Sequence, residues 1–416
     1  MIQLMLAFFA LALAGSGAAQ APKSKPTAPQ AIASALAWLA RHQNPDGSWG
    51  GKSLIERCQA GSRCYDKSAD ATGHYDEGLT GLAVLAFLRA GTLNASAKEL
   101  VDPATGTALD PASVVRTGLT WLKKTQKKSG TFGREMPFLY NDAIGTLAMA
   151  EAFRITKVTD WKDSATRGVD YLQRAQRTSP TTDKAWGWRY YGRQEIEQRR
   201  PRNGGDEQQE AWKKELHDSD VSATGWAVAA LVAADEAGIE TKSESLSGAL
   251  DFLNYATKEN GLVGYLAAET AGAKVSGPFD SYRYHVATMS SIGVLIRSTV
   301  GRDWKNPFFD IAAREILRDM PPSANDKLSV DFYYWYHATL ALNRMEGTES
   351  AKNAKRKVAA PWNKAVVDAL LALQDRTKGS CSLGGWVVPD RWNLYAGGPV
   401  YETALGVLTL AALTPP

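Results

Sequence analysis

Along the chain, apolar residues recur at helical spacing in one segment after another, and no stretch shows sustained period-two alternation. This pattern predicts an all-α protein. The segments are of two alternating kinds. One is amphipathic, ends in Gln or another polar residue and is followed by Gly and an aromatic; it is expected at 31–43, 112–126, 164–176, 245–256, 307–319 and 361–374. The other opens on acidic or aromatic residues and is apolar nearly all round, at 76–90, 139–153, 220–237, 282–300, 331–345 and 400–413. A helix that is apolar on every side must be enclosed by protein, whereas an amphipathic one faces water on one side. Six such pairs predict two concentric rings, an (α/α)6 toroid whose middle is lined by the second kind. The last segment, VYETALGVLTLAAL, is as apolar as the central ones and lacks the polar face of a terminal repeat, which favours a closed ring over an open solenoid.

The turns inside the pairs repeat a motif. Gln43 to Trp49 reads Q-x-x-x-G-x-W, and Gln126 to Phe132 repeats it with Phe in the last place. Gln at a helix C-terminus satisfies orphan carbonyls, Gly takes the left-handed turn, and the aromatic plugs the gap between helices. Looser copies follow at Gln176 with Trp186 and Trp188, at Gly261 with Tyr265, and at Gln374 with Gly379 and Trp386; the fifth pair has no obvious copy.

Composition narrows the class. With 416 residues, 44% hydrophobic and 22% charged, the chain is in the globular range, and a net charge of +4 with Lys and Arg dispersed excludes a dedicated nucleic-acid surface. Residues 1–19 read as a secretory signal cleaved near Ala19, with an apolar run too short to span a bilayer. Export to the periplasm or beyond is therefore expected, with no transmembrane segment in the mature chain. Residues 20–30 read as a disordered linker, and 31–416 as one toroid domain with insertions at 54–75 and 192–217. The charge-dense second insertion reads as a solvated excursion, or as a lid, since it leads into Asp218. Cys58 and Cys64 share one polar loop and are expected to form a disulfide, leaving Cys381 over. His74 is the only imidazole near that pair in the sequence, so neither a metal nor another cofactor is expected.

The most suggestive stretch for chemistry is LHDSDVSATGWAVAALVAA, Leu216 to Ala234, which sets Asp218 and Asp220 at the mouth of an apolar helix. These carboxylates are either helix caps or a proton donor kept neutral by burial, with Ser222 or Thr224 as hydrogen-bond partners. The other second-kind helices open similarly, on Asp76-Glu77, Asn141-Asp142, Asp331 and Glu402. Since every second helix runs the same way, the acidic residues should form a collar at one end of the pore. Tyr282, His285, Tyr334, His337 and Tyr401 join Asp76, Asp142, Thr224 and Asp331 as candidate ligand contacts. The aromatics Tyr140, Trp226, Tyr284, Tyr333, Trp335 and Tyr336 are further candidates for the cavity wall, and at most two of Tyr333 to Tyr336 can point inward.

The Q-x-x-x-G-x-W turns, the paired helices and the Asp-Ser-Asp resemble the squalene-hopene cyclase and protein prenyltransferase superfamily. WGWRYYG, DSDVSATGWAVAAL, DFYYWYHATLAL and GGPVYETALGVLTL are similar to the exported prenyltransferase and squalene-oxidase-repeat proteins of some environmental bacteria, from about Ala31 to the C-terminus. The resemblance implies a toroid whose cavity takes an isoprenoid or other apolar ligand, with turnover left open. In protonation-initiated cyclases the motif D-x-D-D supplies the acid; it maps onto Asp218, Ser219, Asp220 and Val221, so the acid position is Asp220 and the last Asp is missing. The zinc site of the prenyltransferases has no counterpart: Cys381 lacks an Asp two residues before it, and Tyr333 stands where Asp331 would need a Cys. Three functions follow as expectations: an exported toroid that binds an apolar ligand, a terpene cyclase using Asp220, and an extracellular scaffold or polysaccharide-active toroid. The last would call on Arg134, Arg189, Arg283 or Arg297 to neutralise an acidic sugar.

Overall fold

The computed structural model describes residues 26–414 apart from 51–53, 55–56, 59–63, 65–73, 95–97, 134–137, 203–204, 271–280, 302–303, 322–325, 347–356 and 393–395. The expected signal, most of the first insertion and Arg134 lie outside the described residues. In chain order the helices are α1 (Ala28–Arg41), α2 (Asp76–Arg89), α3 (Pro111–Thr125), α4 (Leu139–Thr156), α5 (Thr159–Ala175), α6 (Arg193–Gln198), α7 (Asp206–His217), α8 (Val221–Glu236), α9 (Ser243–Tyr255), α10 (Ala287–Val300), α11 (Phe308–Arg318), α12 (Phe332–Glu346), α13 (Ala359–Leu373) and α14 (Pro399–Ala411). A two-residue antiparallel hairpin, β1 (Leu100–Val101) with β2 (Ala108–Leu109), sits between α2 and α3. None of the described helices is long and apolar enough to cross a membrane.

The six inner helices α2, α4, α8, α10, α12 and α14 each pack on the next, and α14 packs back on α2. The ring is closed. Inner helices are enclosed on all sides, as α2 illustrates by burying every residue from Glu77 to Leu88. Outer helices bury one stripe; α5 buries Trp161, Ala165, Gly168, Val169 and Leu172 and keeps its other face polar.

Most helices begin and end within a few residues of the periodic segments, and the exceptions have local causes. α1 starts at Ala28, inside the expected linker, because Thr27 and Gln30 form a reciprocal capping box. α10 starts only at Ala287. Residues 282–286 spend their polar groups on the neighbouring loop instead: the Arg283 N–H donates to the Leu328 carbonyl at 2.8 Å, and the His285 ring is held by Asp319. The second insertion folds into α6 and α7, joined by the Trp212 indole donating to the Ile196 carbonyl, and α7 buries none of its residues.

The repeated turn is a three-part staple. Its Gln side chain donates both to the turn and to the next outer helix: Gln43 to the carbonyls of Gly47 and Val114, Gln126 to Gly130 and Ser164, Gln176 to Trp186 and Ser245, and Gln374 to Gly384 and Ala31. The last of these closes the ring. The indoles of Trp49, Trp188 and Trp386 donate to the carbonyls of Leu39, Leu172 and Leu370 in the preceding outer helix. The backbone N–H of each aromatic is taken by an inner-helix side chain, Thr80 for Trp49, Asp142 for Phe132, Thr224 for Trp188 and Thr403 for Trp386. In the fifth hairpin, which lacks the motif, the Tyr334 hydroxyl reaches back to the carbonyls of Ile316 and Asp319 and takes the indole's place.

The glycine of the staple has positive φ, +96° at Gly47 and +92° at Gly384, and in the sixth turn it is Gly384, ahead of Trp386, that fills this position, with Gly379 further out. A Cβ on Gly384 would lie 2.3 Å from the Ser34 carbonyl oxygen. Gly384→Ala is therefore expected to lower stability by roughly 2–4 kcal/mol through strain and displacement of α1, measured as a shift in urea midpoint at unchanged m. Gly106→Ala, which is strained in φ but has no atom within 4 Å, provides the control.

Candidate functional site

The first two turns of the inner helices surround a chamber of about 490 Å³. Gly78, Leu79 and Leu82 of α2, Tyr140, Asn141 and Ile144 of α4, Ser222 and Trp226 of α8, Met289 of α10, Tyr333 of α12 and Tyr401 of α14 form its wall, and Tyr75, Phe138, Tyr190, Tyr265, Trp392 and Ala396 outside the inner helices complete it. Their placement follows from helix periodicity: on α12 only Tyr333 and Tyr336 of the four consecutive aromatics border the interior cavities, while Tyr334 packs on Trp362 of α13 and Trp335 on Phe332, both fully buried. Tyr336 borders a second, smaller cavity of about 190 Å³ towards the opposite helix ends, beside Trp226, His337 and the ion pair of Arg89 with Glu151.

Besides the Asn141 amide, whose Oδ1 accepts from the Gly78 N–H and whose Nδ2 donates to the His74 carbonyl, the polar groups of the chamber are mainly hydroxyls, several of which bond to one another. Ser222 Oγ lies 2.8 Å from the Tyr140 hydroxyl and 2.7 Å from that of Tyr333, and the Tyr190 and Tyr265 hydroxyls are 2.7 Å apart. Burial raises the pKa of Tyr140, Tyr265, Tyr333 and Tyr401, so these phenols stay protonated. The buried Tyr401 hydroxyl makes no hydrogen bond among the described residues. No carboxylate, guanidinium, ammonium or imidazole is among the described lining residues.

The expected acidic collar is present but lies behind the aromatic wall. Asp220 is fully buried as the N-cap of α8, its Oδ1 accepting from the Ala223 N–H at 2.7 Å, and its Oδ2 makes no hydrogen bond of normal geometry. Burial pushes its pKa up to about 7 against the Ala223 N–H, Arg189 and Tyr265, which favour the charged form. Asp218 is partly exposed, 3.3 Å from Arg189. Asp331 caps α12 through the Tyr334 N–H and accepts from the Trp392 indole. Asp142 holds the Phe132 turn, and Asp76, at the start of α2, abuts Gly50.

Of the other candidates, Thr224 belongs to a turn staple, while Tyr401 reaches the chamber, as do Tyr140, Trp226 and Tyr333 of the aromatics expected on its wall. Tyr282 sits partly exposed on the loop before α10, its carbonyl accepting from Arg391. His285 and His337, one on that loop and one on α12, do not come together as a pair. The His285 ring stacks on Tyr334 and bonds Asp319 and the Ser329 carbonyl; burial lowers its pKa, but the Asp319 bond and the charge of Asp331 outweigh it and the net direction is up. His337 is held neutral, its pKa lowered to about 4 by burial, with Nδ1 donating to the Tyr333 carbonyl. Among the chamber residues that sequence reading missed, Phe138, Tyr190, Tyr265 and Trp392 stand on loops, where no periodicity assigns a direction. Cys58 and Cys64 are not joined by a disulfide; the expectation overlooked His42 and Cys381, distant in sequence, which the fold brings to the same place.

No family model and no curated protein matches the chain. Solved structures do. A GH76 α-mannanase from Bacteroides thetaiotaomicron superposes with a TM-score of 0.55 at 9% identity over 93% of this chain and 95% of that one. The GH76A α-1,6-mannanase from Salegentibacter sp. HEL1_6 gives 0.52 at 10% over 93% and 99%. Type II terpene cyclase MstE from Scytonema gives 0.51 at 13% over 94% and 99%, and a variant of that cyclase has been solved with geranylgeranyl dihydroxybenzoate, its substrate. At such identities the likeness is one of fold, and the chain has the α/α toroid fold that these terpene cyclases and mannanases share.

Proposed function

We propose that this toroid, exported as its N-terminus suggests, holds an isoprenoid or similarly apolar ligand in its central chamber. The observation that carries the reading is the composition of the wall: aromatic and aliphatic side chains with a few hydroxyls and the Asn141 amide, and no charged group among the described lining residues. The volume of about 490 Å³ falls within the roughly 300–1,000 Å³ of small-molecule sites, which are mostly apolar with a few placed polar groups. The Tyr401 hydroxyl is the handle that a ligand hydroxyl or carbonyl would engage. Retaining and inverting glycosidases need a pair of carboxyl groups flanking the scissile bond, and the described wall supplies none, which argues against sugar hydrolysis in this chamber.

A second reading, protonation of an alkene, is favoured by one group. Asp220 sits one layer behind Tyr265 and Ser222 with a pKa near neutrality, so it holds a proton in an apolar surrounding. Turnover by this route would need the proton to pass through or beside Tyr265.

The test is direct. Protein purified without added lipid is extracted and analysed by mass spectrometry, and geranylgeraniol is titrated while tryptophan fluorescence reports on Trp226 and Trp392. A co-purifying polyprenoid or a saturable fluorescence change that Leu82→Trp abolishes is the expected result; no bound lipid and no response, with binding to mannan oligosaccharides in its place, would overturn it. Cyclic products from a polyprene panel that disappear in Asp220→Asn would establish the second reading.

A further inference from the structure

The ring has one seam, where the hairpin of α13 and α14 meets α1, and four metal-binding side chains converge on it. His42 is the C-cap residue of α1, Cys381 lies in the turn after α13, and Cys58 and Cys64 come from the segment between α1 and α2. One ligand atom from each lies within 4.8 Å of all the others. His42 Nε2 is 3.3 Å from the sulfurs of both Cys64 and Cys381. A tetrahedral zinc ion, with bonds of about 2.3 Å to sulfur and about 2.0 Å to nitrogen, holds its ligand atoms roughly 3.5–3.8 Å apart, so the cluster is close to the size of a loaded site.

The imidazole is already oriented. Its Nδ1 is 2.8 Å from the Trp38 carbonyl, which can only accept, so the proton sits on Nδ1 and the Nε2 lone pair faces the sulfurs. Metal-ligating histidines use this outer bond to fix tautomer and ring direction. The ring also stacks on Trp38 at 4.1 Å between centroids. The Cys64 N–H points to the Cys58 sulfur at 3.4 Å, a donor suited to a thiolate. His42, Cys64 and Cys381 are buried and Cys58 is half-buried. A disulfide would engage two of the three sulfurs and give the third and the imidazole no task, whereas one ion engages all four.

We infer that His42, Cys58, Cys64 and Cys381 bind one zinc ion, which clasps the seam of the toroid. Binding converts the three thiols to thiolates and releases their protons to solvent. With four protein ligands no coordination position is left for substrate, and none of the four residues lines the chamber, so the ion is structural. His42 and Cys381 are 339 residues apart, and fixing them to one centre closes nearly the whole chain into a loop.

Full-length protein produced without a metal-binding tag would be dialysed against a weak chelator and analysed for first-row metals. The expected result is about one zinc per chain, replaceable by cobalt with thiolate-to-metal charge-transfer and tetrahedral d–d bands, and a Tm that falls on stripping with a strong chelator and recovers with zinc. Cys381→Ser and His42→Ala should lose the metal and the chelator-dependent part of Tm. Cys58→Ser, at the half-buried position, covers the case in which the other two fail to fold, and should weaken zinc binding in folded protein. A metal-free protein overturns the inference, whether peptide mapping finds Cys58 joined to Cys64 or three reduced thiols. So does zinc retained by all three variants, or stoichiometric copper or iron in place of zinc.

Discussion

Trp386→Ala is expected to cost roughly 3–5 kcal/mol of unfolding free energy. The side chain is fully buried, its indole donates to the Leu370 carbonyl and its backbone N–H to Thr403, and α14 passes so close that a Cβ on Gly406 would lie 2.7 Å from the ring. Truncation removes the plug between α13 and α14 and one of the two hydrogen bonds at the Leu370 carbonyl, which keeps only that from the Gln374 N–H. Trp386→Phe keeps most of the volume and loses the indole bond, so it should cost only about 1–2 kcal/mol. Urea denaturation followed by far-ultraviolet circular dichroism measures both. A loss below about 1 kcal/mol for the alanine variant would mean that the staple does not hold the sixth hairpin.

The second large effect depends on pH. Asp220 has its pKa raised from 3.8 to about 7 by burial. In this case the folded chain binds the proton more tightly than the unfolded one. Asp220 therefore lowers stability progressively as pH rises from about 4 to about 7, and the penalty is fully present above 7, where it amounts to about 4 kcal/mol. Asn at this position keeps an oxygen for the Ala223 N–H and does not titrate. Asp220→Asn should thus be more stable than the wild type at pH 8 by up to that amount, and close to it at pH 4. His337, whose pKa burial lowers to about 4, acts in the opposite sense, stabilising above its unfolded pKa and losing that contribution as pH falls. It is unchanged in both proteins and cancels in the difference between their curves. A difference that does not vary from pH 4 to pH 8 would mean that Asp220 is ionised throughout, and it would remove the proton reservoir from the cyclase reading.

Much of the toroid was legible before any coordinate. Helices apolar nearly all round, such as α2 and α14, have only one place to go, and the Q-x-x-x-G-x-W turns mark where the chain reverses. The chamber was far less legible. Asp142, Thr224 and Asp331 stand at helix mouths as site residues would, yet each satisfies a backbone N–H of its own fold. Periodicity identifies a helix face but does not distinguish a side chain that points into the lumen from one that grips a turn beside it. Tyr334 and Tyr333 are neighbours on α12, and they end on opposite sides of the inner wall. Tyr190, Tyr265 and Trp392 reach the chamber from loops, and the His42 cluster joins residues from both ends of the chain; such convergence is a property of the closed ring and leaves no local pattern.

The bond from Gln374 to the Ala31 carbonyl, 343 residues away, is the same one that ties each of the first three hairpins to its successor. Because of it, no hairpin is intrinsically first or last. During synthesis, however, α2 emerges with one apolar flank destined for α14, which is made long after it. Until then that flank has no cover of its own, and the growing chain is a sticky arc that must be shielded or held apart from its neighbours before the circle can shut.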